Sequence, residues 1–254
     1  MIKHLTYLYI ILSLLSLSAC KKNPIEQPAQ KHLIAELPFV DHRLRLYSDQ
    51  EILHVGYNRL YFEVSGKSND LQFHPVMDMH TLTHSCPSIQ PAFDATSQLY
   101  EGAAVFTMPS GEMGSWTLQI HFNGEEKSIP VQIQPAKEQT RLVSTHQAQN
   151  GKRYVLALVD PMQPKIGLND LSILIYEQKS MHEFVPVEDL VIQFEPIMPS
   201  MGHGSPNNTA PSHLRAGLYK GKVNFTMSGD WRLQLQLFEA GEKIVAGAYF
   251  DLWF

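Results

Sequence analysis

Two cysteines in 254 residues are too few for the disulfide framework of a small exported scaffold. Positive charge is also scarce. The net charge is −5, and no basic cluster stands beyond Lys21 and Lys22, which argues against nucleic acid as a partner. The chain lacks HExxH, GxSxG, Walker and Rossmann glycine motifs. The Gly-Ser pair in MGHGSP lacks the strand-to-helix context of a nucleophile elbow, and the acidic residues are scattered, with Glu125-Glu126 beside Gly124 reading as a solvated turn. Neither catalysis nor a small-molecule substrate is expected. Helical periodicity is missing from every window of useful length. Long apolar runs are absent too, apart from one near the N-terminus, from about Leu5 to Leu17, which is short for a span of about 20 residues.

That N-terminal run follows a single early charge, Lys3, and has the layout of an export signal. Its ending, LSAC at residues 17–20, resembles the lipobox of bacterial lipoproteins. By that resemblance residues 1–19 are a signal peptide and Cys20 is lipidated, giving a membrane anchor. Residues 20–42 then read as a flexible, Pro-containing tether. With Cys20 lipidated, Cys86 is the one thiol left, either an inert core residue or a ligand. The expected location is the cell envelope, facing the periplasm. Lys21 stands where an inner-membrane retention Asp would often sit, so the outer membrane is favoured.

What the sequence does contain is a duplication. LYEGAAVFTM (99–108) matches LYKGKVNFTM (218–227), and each is followed by a Trp-led alternating run, WTLQIHF from Trp116 and WRLQLQLF from Trp231. Upstream, HPVMDMHTLTHSCP (74–87) lies against EPIMPSMGHGSP (195–206), and VGYNRLYFEV (55–64) against IGLNDLSILIY (166–176). Four blocks recur in one order. The expected organisation is a first domain over residues 43–136 and a second over residues 137–254, with the cut at the Pro- and charge-containing stretch near Ala136.

Period-2 alternation dominates both copies, as in LYFEV, AVFTM, YVLALV, KVNFTM and AYFDLWF. Such patterning sets one face toward a core and the other toward water. About seven short strands per copy predict an all-β fold of two tandem immunoglobulin-like β-sandwiches. Trp116, Trp231, Met108 and Met227 are expected to be structural core.

The duplicated pattern resembles the YtkA-like family of exported bacterial β-domains, similar in outline to FixH-like proteins. The second copy carries the family's features closely: Met198-Pro199-Ser200-Met201-Gly202-His203, then Tyr219, Gly221, Val223, Phe225 and Met227, then Gly229 and Trp231. The first copy departs, with Met77-Asp78-Met79-His80 and MPSGEMGSW in the corresponding places. The resemblance implies a β-sandwich and a setting near copper handling and respiratory-oxidase assembly.

Thioether and imidazole donors favour Cu(I), whereas Mg²⁺ and Ca²⁺ take oxygen. Met198, Met201 and His203 converge if the Pro and Gly residues fold their loop back. The first copy offers Met77, Met79, His80, His84 and Cys86 within a short stretch. Met181-His182 forms a third small cluster, and His213 lies beyond the second loop. The alternative is structural, with Met residues plugging the open end of a sandwich and Cys86 a small buried hydrophobe. Two functions follow as expectations. One is a membrane-anchored envelope lipoprotein that binds copper (Cu(I)) through its Met/His loops and relays it to a copper-receiving envelope protein. The other is a scaffold for protein interaction with no metal.

Overall fold

The alternating segments form strands because β-branched and aromatic residues at every second position pack on a pleated surface. The computed structural model describes residues 30–65 and 70–254. The predicted signal peptide and Cys20 lie outside the described residues. Among the described residues eleven strands precede residue 135: β1 (His32–Pro38), β2 (Arg43–Ser48), β3 (Leu53–His54), β4 (Gly56–Val64), β5 (Gln72–Asp78), β6 (Thr83–His84), β7 (Ser88–Asp94), β8 (Leu99–Phe106), β9 (Ser115–Phe122), β10 (Glu125–Val131) and β11 (Ile133–Gln134). Ten follow: β12 (Val143–Gln147), β13 (Arg153–Asp160), β14 (Gly167–Gln178), β15 (Phe184–Pro186), β16 (Leu190–Met198), β17 (His203–Gly204), β18 (Thr209–Arg215), β19 (Leu218–Phe225), β20 (Asp230–Glu239) and β21 (Glu242–Trp253). No helix occurs among the described residues.

The described residues are all-β, two tandem immunoglobulin-like sandwiches. The first pairs a sheet of order β1-β2-β4-β8-β7 with one of order β10-β9-β5-β6. The second repeats that wiring as β12-β13-β14-β19-β18 facing β17-β16-β20-β21, with β15 added beside β14. Each sandwich has its own core, centred on Trp116 and Phe106 in one and on Trp231 and Phe225 in the other.

Two features differ from the sequence reading. Residues 32–38, assigned there to the tether, form β1 and pair with β2 in the first sheet. The segment HLIAELP lacks a regular inside-outside pattern, so its pairing was hidden. Second, YVLALV does not turn one face to water. Tyr154, Leu156 and Leu158 enter the second core, while Val155, Ala157 and Val159 join Val105 and Tyr57 of the first sandwich in a separate apolar seam. A strand covered on both faces needs apolar residues throughout.

Candidate functional site

The two Met/His loops are hairpins at corresponding corners of the two sandwiches. In the first, Met77 of β5 is paired with His84 of β6 on one side and Trp116 of β9 on the other. Directly opposed residues in a sheet share a face, so His84, Met77 and Trp116 form one row across the inner surface. In the second, Met198 is paired with His203. The register that sets Ile197 against Arg232 continues to Met198 against Trp231, which gives the row His203, Met198, Trp231.

The rows share their details. The imidazole of His84 lies 5.2 Å from the Trp116 ring with planes at 85°; His203 lies 6.3 Å from Trp231 at 76°. Each Trp is fixed by its own N–H, which donates to the carbonyl of Met108 (2.9 Å) or Met227 (3.0 Å). Met108 and Met227 are half-buried and pack against the two cores. Each His places Nδ1 on the carbonyl of the following residue, Ser85 at 2.9 Å and Gly204 at 3.0 Å. A carbonyl only accepts, so the proton sits on Nδ1 and Nε2 of the neutral ring carries a lone pair. In His84, which is 7 % exposed, that Nε2 is buried and has no hydrogen-bond partner.

The expected donors are not all gathered. Met77 and Met198 are buried, each reaching toward a glycine, Gly114 or Gly229, where a Cβ would stand 3.1 or 2.5 Å from the Met Cε. Met201 sits in the turn, 59 % exposed, with its N–H and that of Gly202 on the Met198 carbonyl. Gly202 adopts φ 66° to close this turn. Met79 is half-buried against the first core. His80 is exposed at φ 68°, its N–H held by the Asp78 carboxylate. Cys86 is buried in the first core. Burial pushes its thiol well above the ordinary range, only partly offset by a backbone hydrogen bond involving Val105, so it stays protonated and is a poor ligand. His213 stands in the other sheet against Tyr219. Among the described residues no three His, Cys, Asp or Glu side chains converge as a metal site. Each row instead brings together an imidazole, a thioether and the face of an indole.

Sequence reasoning missed three supports. Ser200 in the second loop is tied to Asp230, its N–H donating to the carboxylate at 2.9 Å. The Met181-His182 turn belongs beside the first row: Ser85 N–H donates to the Met181 carbonyl at 2.8 Å, and Thr83 Oγ1 lies 3.2 Å from His182 Nε2. Buried Asn58 and Asn169 staple the bends ahead of β4 and β14, each donating to two carbonyls and accepting one N–H. The recurrence of Asn in the matched blocks VGYN and IGLN was the available signal.

Comparison with known proteins adds the following. The model of the YtkA-like family matches residues 136–236. No curated protein sequence matches the chain. Among solved structures, a chimeric titin Z1Z2-Z1Z2 tandem functionalized with a GRGDS peptide from fibronectin is 12% identical, covers 87% of this chain and 96% of its own, and has a TM-score of 0.22. A chimeric titin Z1Z2 functionalized with a KLER peptide from decorin is 12% identical over 79% of this chain and 88% of its own, with a TM-score of 0.21. Likeness at such scores carries no inference. Over residues 136–236, its second copy, this chain is similar to the YtkA-like family.

Proposed function

We propose that this β-sandwich protein is a non-catalytic carrier of copper(I), binding the ion at its His–Met–Trp rows and passing it to a copper-receiving protein of the cell envelope. The observation that carries this reading is the orphaned Nε2 of His84, set in a row with Met77 and Trp116 that the second copy repeats. A buried acceptor without a partner costs about 1–3 kcal/mol, and a soft cation would satisfy it. Imidazole nitrogen and thioether sulfur suit Cu(I), and an indole face attracts a cation. In the second copy the exposed thioether of Met201 offers a donor that an incoming partner can exchange.

The export signal and the LSAC sequence support anchoring through a lipidated Cys20, with the domains facing the periplasm and the outer membrane as the favoured surface. One observation favours a metal-free scaffold instead: Met77 and Met198 are buried deeply enough to serve as core plugs.

Competition against a chromogenic Cu(I) chelator separates the readings. The chain from Lys21 onward is expected to bind copper(I) stoichiometrically. A Met201→Ala/His203→Ala variant should lose the second-copy share while Cys86→Ala keeps full binding. Affinity no greater than that of an unrelated β-sandwich would leave the scaffold reading in its place.

A further inference from the structure

The two rows are built alike but enclosed differently. In the first copy, the turn 179–183 of the second copy lies along β6. Ser85 is held by the Met181 carbonyl at 2.8 Å and Thr83 by His182 at 3.2 Å, so both neighbours of His84 are fastened from the other sandwich. Ser85 is fastened a second way, its hydroxyl donating to the Pro75 carbonyl at 2.6 Å. His84, Ser85 and Cys86 are all buried. β6 and its equivalent β17 are both edges of their sheets, but in the second copy His203 is only half-buried and Gly204 is exposed. Where the first copy has Ser85, the second has a glycine with no hydroxyl to bond the Pro196 carbonyl 3.0 Å from its would-be Cβ.

We infer that the His84–Met77–Trp116 row is a second, closed copper(I) site, sealed by the Met181–His182 turn, and that it exchanges its ion slowly while the open row at His203 exchanges fast. This rests on the copper reading above. A ligand-exchange step needs the incoming donor to approach the bound ion. At His203 that approach is from solvent past Met201. At His84 the turn must first lift, which breaks the Ser85–Met181 hydrogen bond and the Thr83–His182 contact. The chain thus holds one ion for transfer and one that is retained until that turn lifts.

The test is anaerobic extraction of copper(I) from the loaded full chain by excess bicinchoninate, followed by stopped flow. Two phases are expected, the slow one at least tenfold slower. His203→Gln should remove the fast phase and His84→Gln the slow phase. A Thr83→Val/His182→Ala variant, altered only at exposed positions, should speed the slow phase at least tenfold and leave the fast phase alone. A copper-independent readout accompanies it: hydrogen exchange at the Ser85 amide should quicken in that variant and slow on loading. Uptake of a single ion that only His203→Gln removes overturns this inference and leaves the copper reading standing. So does a slow phase indifferent to the Thr83→Val/His182→Ala variant. Absence of uptake by every form overturns both.

Discussion

A Cβ on Gly114 would stand 2.3 Å from the carbonyl oxygen of Asp78, a distance no side chain tolerates, and Gly114 also sits at φ 151°. The hairpin before Trp116 therefore passes the end of β5 with backbone against backbone. Gly114→Ala is expected to destabilise the protein by about 2–3 kcal/mol through overpacking and backbone strain. Gly124→Ala is the control, since that residue has a positive φ of 75° but nothing within 4 Å, and about 1 kcal/mol is expected there. Equal losses in urea unfolding would show that the close approach to Asp78 is not what the glycine serves.

Asn169 is buried and its amide serves the backbone of Lys165 and Gly167. Asn169→Ala strands these groups and should cost about 2–3 kcal/mol. Asn169→Asp keeps the acceptor but loses both donated bonds, so little rescue is expected. The same pair of changes at Asn58 should behave alike, because the staple is the same. A loss below about 0.5 kcal/mol, typical of a surface substitution, would refute the staple.

Acid sensitivity should begin at mildly low pH. Burial, with the charge of Arg141 adding to it, lowers the pKa of His146, and burial with the charge of His182 does the same for His74. Both rings bind protons less readily folded than unfolded. Their contribution is intact above the ordinary imidazole value of about 6.5 and is lost as pH falls below it toward the folded values. Denaturation midpoints should drop between pH 7.5 and pH 5.5, above the range where carboxylates titrate. A His74→Gln/His146→Gln variant should flatten that drop, and an unchanged slope would assign it to other groups.

Cys86 should resist thiol reagents in the native protein and react only on unfolding, since its thiol is buried and its pKa raised. Disulfide-exchange labelling with and without denaturant reads this directly. Fast native labelling would return Cys86 to the set of candidate ligands.

The repeat, the strands and the Trp-led runs could be read from the sequence because they depend on neighbours two residues apart. The pairing of Met77 with His84 and of Met198 with His203 was within reach for the same reason, since a short hairpin joins each pair. What the spacing could not say is which loop donors face inward. Met79 and His80 are adjacent, yet one packs on the core and the other is exposed. Contacts set by the meeting of the two sandwiches were out of reach. Thr83 and His182 are 99 residues apart, and nothing local in either marks the other. The same long-range burial turned YVLALV from a half-exposed strand into one covered on both faces, whereas Cys86, readable as either core residue or ligand, is buried within the first core itself.

The seam through Val105, Val155, Ala157, Val159, Leu174 and Tyr176 bears on how such a protein could arise and be dismantled. Each copy has its own wiring, but the second has given up a water-soluble outer surface on β13 and β14. Cut at the boundary, the second half would present a bare greasy wall and would be prone to self-association. The two sandwiches are thus joined by more than their connecting chain, since each shields apolar surface of the other along this seam.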